Sequence, residues 1–387
     1  MGAGPAGLAA AQSASESPAS ETKTEITLID DNHATGGQIW RGQPHPSAKA
    51  STLLNTRAIS ASRTELLLDS QVVPFDKLII ATGARELFLP FPGWTLPGVC
   101  GAGGLQALAK SGLDLKNKRI VVAGTGPLLL AVASYFKTHG ADVPIIAEQT
   151  PWSRLIRFAA ALPPRKWAEA LRLWTPRLSP ATWITEAHGR ESLESVTVRS
   201  GKNSRDIPCD YLAIGYGLVS NTELPHLLEV DPFRLDDFQT TSNPAILCAG
   251  EVTGVGGVDL SIIEGHIAGY AATGNLARAR ALFPQRRRQQ RFQSALKNAF
   301  PLRPELKHLP KPGTIVCRCE DVTFQELATN SEWREAKIHS RCGMGPCQGR
   351  VCGPAVEFLF GWQPDSIRPP LFPAPVAALS MMNDKHE

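Results

Sequence analysis

The sequence predicts an α/β protein with two doubly wound, three-layer dinucleotide-binding domains and a small C-terminal metal-binding module. Three observations carry this prediction. Glycine-rich turns at residues 2–7 and 124–129 each open a helix of small or aliphatic residues. In each unit the next strand ends in an acid, first Asp30 and then Glu148. Five of the eight cysteines fall between 317 and 352.

The first turn reads Met1-Gly2-Ala3-Gly4-Pro5-Ala6-Gly7 and runs into Leu8-Ala9-Ala10-Ala11. Gly2 allows the tight turn, Gly4 lets backbone approach a pyrophosphate, and Gly7 lets the helix pack closely on the sheet; the helix N-terminus attracts the phosphate charge. The strand Glu25–Ile29 then ends in Asp30, placed to bind ribose hydroxyls. The fingerprint should follow a strand, and Met1 stands where the last residue of that strand should be. The expectation is therefore either a start placed too late or a truncated chain that binds its nucleotide poorly.

A buried strand, Leu78–Ala81, ends in the small-residue turn Thr82-Gly83. The second unit begins with the strand Arg119–Ala123, followed by Gly124-Thr125-Gly126-Pro127-Leu128-Leu129. Leu129 replaces the third glycine, which predicts looser packing there. The strand Val143–Ala147 leads to Glu148, and an acid at that position favours NAD over NADP because it repels a 2′-phosphate. This second unit is either a site for NAD or another adenine nucleotide, or a structural βαβ repeat with an empty site. Further apolar strands, Tyr211–Gly217 and Ala245–Gly250, follow, the latter ending at Glu251.

The cysteines read Cys317-Arg318-Cys319, then 27 residues, then Cys347 and Cys352 about a glycine-rich turn, 343–349. In an extended strand residues i and i+2 share a face, so Cys317 and Cys319 are expected to grip one group together. Four thiolates without histidine suit a [2Fe–2S] cluster or an all-cysteine zinc site; zinc ribbons usually space their pairs C-x2-C, and neither pair does so. Plain buried cysteines are the remaining alternative. Cys342 reads as a packed spare thiol. Cys100, Cys209 and Cys248 read as core residues, and His266 as a packed helix histidine rather than a base.

The expected divisions are 1–107, first part of the dinucleotide-binding domain that opens the chain, lacking its first strand; 108–220, second nucleotide-binding domain; 221–275, second part of the first domain; 276–312, basic linker; and 313–387, cluster module. At 387 residues, 43% hydrophobic and 20% charged, the chain has the make-up of a soluble two- or three-domain protein. A net charge of +4 is too small to argue for nucleic acid. The run Arg286-Arg287-Arg288-Gln289-Gln290-Arg291 lacks interleaved aromatics and reads as a solvated helix or a partner contact. No apolar run reaches the roughly 18 residues of a spanning helix, and a secretory leader is not expected. A reducing cytoplasm is expected, with a peripheral position at the inner membrane also allowed.

Gly2 to Gly7, Asp30, Gly36-Gly37-Gln38, Ala81-Thr82-Gly83 and Ala249-Gly250-Glu251 resemble two-dinucleotide-domain flavoproteins of the glutathione/thioredoxin reductase type. That resemblance implies that Gly2, Gly4, Gly7 and Asp30 hold the ADP half of FAD, that Gln38 lies near the flavin, and that Glu251 bonds the ribityl chain. Three further segments, Gly36–Arg41, Leu89–Val99 and Cys317–Val322, together with Gly343–Arg350, are similar to a narrower group. This group is the FAD-dependent subunits of heteromeric amino-acid and opine dehydrogenases, among them those of opine oxidase, hydroxyproline dehydrogenase and hydrogen cyanide synthase. Their C-terminal module resembles bacterioferritin-associated ferredoxin, so the similarity implies a [2Fe–2S] cluster on Cys317, Cys319, Cys347 and Cys352. The cofactor-binding set under this reading also includes Gly37, Arg41, Thr82, Gly83 and Gly250, with Gly124, Gly126 and Glu148 at the second site. Against such a pattern the stretch Gln43 to Val73 is about 20 residues short of a full meander inserted in the dinucleotide domain.

The leading expectation is an oxidoreductase subunit relaying electrons from amino-acid or opine oxidation by a partner flavoprotein, within a hetero-oligomer. The alternatives are a stand-alone NAD(P)H:acceptor oxidoreductase and a truncated, non-catalytic scaffold subunit. No C-x-x-C redox pair is present in the second domain, which argues against a dithiol reductase. Phe91-Pro92-Gly93-Trp94 is expected either to face a partner or to pack in the core.

Overall fold

The computed structural model describes residues 1–16, 24–160, 162, 166–167, 172–173, 175, 177–364 and 367–383. The chain divides into two compact units. One comprises Met1–Arg85, Ser220–Gln293 and the described residues of 366–387; the other comprises Glu86–Val219 and the described residues of 294–365.

In the first unit, Thr27–Ile29 pairs parallel with Ser51–Leu53, and Leu78–Ile80 pairs parallel with Ile246–Cys248. Met1 and Gly2 lie between these pairs. The Met1 amine donates to the Ile79 carbonyl at 2.8 Å, and the Ala81 N–H donates back to the Met1 carbonyl at 2.8 Å. On the other side the Gly2 N–H donates to Ile29 at 2.7 Å. These residues therefore occupy the sheet position expected for the end of a central strand.

The helix Pro5–Glu16 leaves Gly2–Gly4 and buries an alanine face against the helix Val258–Ala272. Small residues are required at that crossing. A Cβ on Gly265 would meet the Ala6 carbonyl oxygen at 2.2 Å, and one on Gly269 the Ala10 carbonyl oxygen at 2.2 Å. An antiparallel meander of Ala58–Ala61, Glu65–Leu68 and Val72–Pro74 completes the unit. Arg286, from the basic run, is buried; it donates to the Asp237 carbonyl and carboxylate and sits over the Phe283 ring. Arg287, Arg288 and Arg291 on the same helix, Phe283–Ala299, are exposed.

The second unit holds a five-stranded parallel sheet in the order Leu178–Pro180, Ile146–Glu148, Ile120–Gly124, Tyr211–Gly215, Val99–Gly101. Buried on both faces, Ile120–Gly124 is a continuous small-apolar run, as a central parallel strand should be. The strand before Glu148 is shorter than expected, Ile146–Glu148 rather than 143–147. Pro144 lacks the N–H that a ladder needs. The expectation of looser packing at Leu129 is overturned: Leu129 is 1% exposed and fills the space above Gly215, whose missing side chain makes room for it.

An antiparallel sheet, Thr182–His188, Ser195–Ser200 and Asn203–Pro208, packs beside the parallel one. Phe91 and Trp94 lie in the resulting core, 1% and 3% exposed. This corrects the partner-facing reading of 91–94. The Trp94 indole N–H donates to the Ile315 carbonyl at 2.6 Å, which ties the core to the cysteine-bearing hairpin.

Candidate functional site

At the first glycine turn, Gly2 has φ 100°, a left-handed conformation open to glycine at little cost, and a Cβ there would meet the Ala81 carbonyl oxygen at 2.2 Å. Gly7 faces the Gly2 carbonyl so closely that a Cβ would sit 1.8 Å from its oxygen. Gly4 differs. A Cβ on it would meet only the Gly37 Cα, at 4.0 Å, so the turn forms an open cradle. Asp30 is buried, and its carboxylate accepts from the Ala3 and Asn32 N–H groups at 2.5 and 2.8 Å.

Gly36 returns to the cradle by donating to the Ala3 carbonyl, which brings Gly37 and Gln38 alongside. Arg41 donates through one terminal nitrogen to Asn32 at 2.9 Å, while its Nε is buried with no hydrogen-bond partner among the described residues. Thr82 and Gly83 are locked to Asn221: the Thr82 hydroxyl donates to its carbonyl, its side chain donates to the Thr82 carbonyl, and its N–H donates to Gly83. Gly250 opens the short turn Gly250–Thr253 that carries Glu251. Burial pushes the Glu251 carboxyl above its usual range.

The second turn repeats the device. The Glu148 carboxylate, 3% exposed, accepts from the Gly126 N–H at 2.7 Å and the Thr150 N–H at 2.8 Å, and burial raises its pKa. Gly124 is pressed against Gly215, whereas a Cβ on Gly126 would meet nothing within 4 Å. Beyond the strand, the Arg303 N–H donates to the Gln149 side chain at 3.0 Å and its guanidinium lies 4.1 Å over the Trp183 ring.

The cysteine centre is built by a hairpin, a loop and a helix. Strand Ile315–Cys317 pairs with Val322–Thr323, and the turn between them carries Cys319. Cys319 is thus not on an extended strand, and the same-face argument for the Cys317/Cys319 pair fails: Cys317 is buried and Cys319 exposed. Cys352 opens the helix Cys352–Phe360. Cys342 follows the helix Trp333–Ser340, which ends at a left-handed Arg341.

The sulfurs of Cys317, Cys342 and Cys352 all lie within 4.8 Å of one another, and all three residues are buried. Cys352 also hydrogen-bonds to Cys347, which in turn meets Cys319. Thiol hydrogen bonds from Cys342 and Cys352 pull the Cys317 pKa down to about 2, and Cys352 chiefly lowers Cys347 to about 5. The donating thiols move the other way, Cys342 up to about 12 and Cys352 higher still. A cavity of about 100 Å³ beside the sulfurs is lined by Phe88, Trp94, Arg318 and Val351.

The bland readings elsewhere fit the geometry except at Cys100, which is half-buried rather than core. Burial raises the Cys209 and Cys248 thiols to about 12. His266 is paired with the Ser13 hydroxyl at 2.6 Å, with its pKa lowered by burial. Three features escaped the sequence reading: Cys342 in the thiol triangle, Glu264 beneath the Gly250 turn, and the Ala6/Gly265 and Ala10/Gly269 contacts. Only the last had a local signal, the small residues four apart on each helix.

Two glycine-rich turns, each bonded to the acid after the next strand and one in each compact unit, define a protein with two dinucleotide-type folds. Residues 1–281 match the model of the pyridine nucleotide-disulphide oxidoreductase family, and the chain belongs to that family. The family implies FAD binding, so this is an FAD-dependent oxidoreductase related to subunits of opine oxidase and hydrogen cyanide synthase. The chain is 29% identical to hydrogen cyanide synthase subunit HcnB of Pseudomonas protegens over 91% of its own length and 89% of that protein. It is 29% identical to an opine oxidase subunit of Rhizobium meliloti, covering 96% of each. Among solved structures, L-proline dehydrogenase from P. horikoshii shares the fold with a TM-score of 0.67 at 16% identity, over 98% of this chain and 78% of that one. Among the described residues no helix is long and apolar enough to cross a membrane.

Proposed function

We propose that this chain is the electron-relaying subunit of a heteromeric amino-acid or opine dehydrogenase or oxidase, and that it carries FAD and a [2Fe–2S] cluster. The observation that carries the proposal is the buried thiol triangle of Cys317, Cys342 and Cys352, with Cys347 and Cys319 beside it, in one compact unit with the second dinucleotide sheet. The relatives support a hetero-oligomer because both are named as subunits. The partner flavoprotein is assigned the oxidation of the small-molecule donor. A cytoplasmic location, with no nucleic-acid role, follows from the same reading.

The residues present suit FAD. The open face of Gly4 leaves room for a pyrophosphate, and the buried, unpartnered Arg41 Nε suits an anion beside it. In this assignment Gly2 and Gly7 shape the cradle, Asp30 and Gly37 flank it, and Gln38, Thr82, Gly83, Gly250 and Glu251 surround the flavin half. The donor set at Cys317, Cys319, Cys347 and Cys352, all sulfur, suits an iron–sulfur cluster. FAD takes electrons in pairs and a [2Fe–2S] cluster passes them singly, so a chain holding both links the two modes. The protein's part is to orient the groups and to exclude water from the buried Cys317 and Cys352. Iron and flavin analysis of the purified chain tests this; stoichiometric zinc in place of iron overturns the relay.

A second reading, a stand-alone NAD(P)H:acceptor oxidoreductase, draws on the Gly126–Glu148 bond, which ties the second glycine turn to its acid as the Ala3–Asp30 bond ties the first, one motif position further along. NAD or another adenine nucleotide would then sit over Gly124 and Gly126. Rapid bleaching of the flavin band on anaerobic mixing with NADH supports this reading; an unchanged band rejects it.

A further inference from the structure

Cys342 is placed as a donor rather than as filler. It is 0% exposed, and its sulfur closes a triangle with Cys317 and Cys352 in which no pair is more than 4.8 Å apart. Two thiolates on one metal ion, each about 2.3 Å from it, lie up to about 4.6 Å apart, and the 4.8 Å bound on this triangle is close to that size. A thiol packed only for its volume has no need to point at two other sulfurs.

Cys319 is the opposite case. It sits in the hairpin turn, exposed, and reaches the other thiols through Cys347. Its Cβ is held by the close passage of Gly345, where an added Cβ would come within 2.3 Å. Four protein ligands complete a [2Fe–2S] cluster, and this centre offers five thiols.

We propose that Cys342 is a replacement ligand: when Cys319 is lost or chemically capped, Cys342 completes the set with Cys317, Cys347 and Cys352, and the iron–sulfur cluster is retained. The inference rests on the cluster reading above. Cys319 is the thiol replaced because it is the most accessible of the five. Cys352 is not replaceable, because it meets Cys317, Cys342 and Cys347 together.

The test uses the full chain purified without oxygen as wild type, Cys319→Ser, Cys342→Ser and the double variant. Iron and acid-labile sulfide per chain are measured, with the electron paramagnetic resonance spectrum after reduction. The flavin-to-protein ratio serves as a check that each chain is folded. The expected result is about two irons per chain in wild type and in both single variants. Cys319→Ser should show a shifted resonance spectrum, Cys342→Ser the wild-type spectrum, and the double variant should lose most of its iron at unchanged flavin content. Loss of iron from Cys319→Ser equal to that of the double variant overturns the replacement role alone, as does full iron in the double variant. A wild-type chain without iron overturns the cluster reading and this inference together.

Discussion

Glu264 accepts a hydrogen bond from the Gly250 N–H at 3.0 Å, and so fixes the turn that carries Glu251 to the helix Val258–Ala272. The Thr253 hydroxyl donates to the same carboxylate oxygen at 3.1 Å. The carboxyl is 4% exposed, and burial lifts it from its ordinary 4.5 to about 7.

That shift has a definite sign. Between pH 4.5 and 7 the folded protein holds Glu264 protonated while the unfolded chain ionises it, so folding becomes less favourable as pH rises across this window and then levels off. The full effect is on the order of 3 kcal/mol. Glu264→Gln keeps an acceptor and removes the titration. Melting temperatures from pH 5 to 8 should therefore fall more steeply for wild type than for the variant; parallel curves reject the assignment.

The two glycines of the first turn should fail in different ways. Gly4→Val adds atoms where the protein has only Gly37 Cα at 4.0 Å, so the chain should fold and lose its flavin. Gly7→Val drives a side chain into the Gly2 carbonyl and should prevent the unit from folding. Far-ultraviolet circular dichroism with flavin fluorescence of the denatured supernatant separates the outcomes. Full FAD occupancy in Gly4→Val shows that the cradle lies elsewhere.

Trp94 anchors the cysteine hairpin through one hydrogen bond to Ile315 and the Arg318 guanidinium 5.5 Å over its ring. Trp94→Ala should cost about 3–5 kcal/mol. Trp94→Phe, which forgoes the indole N–H, should cost about 1–3 kcal/mol for the carbonyl left unpaired. Chemical denaturation followed at the cluster absorbance reports both; an unchanged midpoint in Trp94→Ala contradicts this anchoring role.

If the chain is a relay, it needs a partner. Assayed alone with a dye acceptor against amino acids and opines, it should turn over negligibly; coexpressed with a neighbouring flavoprotein subunit, it should co-purify and reduce the dye. Robust turnover by the isolated chain contradicts the relay.

The glycine turns, the acids after them and the cysteine cluster were legible because each is local: a few adjacent residues specify a turn, a strand end or a donor set. The two-sheet organisation followed from repeating that local pattern. What escaped depends on distant pieces of chain meeting. Cys342 looked like a spare thiol because nothing in its neighbours says that the loop folds back on Cys317. Trp94 looked equally able to face a partner, since its burial depends on strand Ile315–Cys317, 221 residues away from indole to carbonyl. Arg286 sat in a basic run that read as solvated, and Asp237 is what pulls it in. The C-x-C spacing suits a strand at Cys319, while the hairpin in fact turns there.

The central claim, that one chain holds a flavin and a two-iron cluster, is tested most directly by the visible spectrum and metal content of anaerobically purified protein. A flavin band superimposed on broad iron–sulfur absorption, with about two irons and one FAD per chain, is the predicted result. Cys352→Ser should abolish the iron signal and leave the flavin. Stoichiometric zinc, or flavin alone with neither metal nor sulfide, would contradict the account.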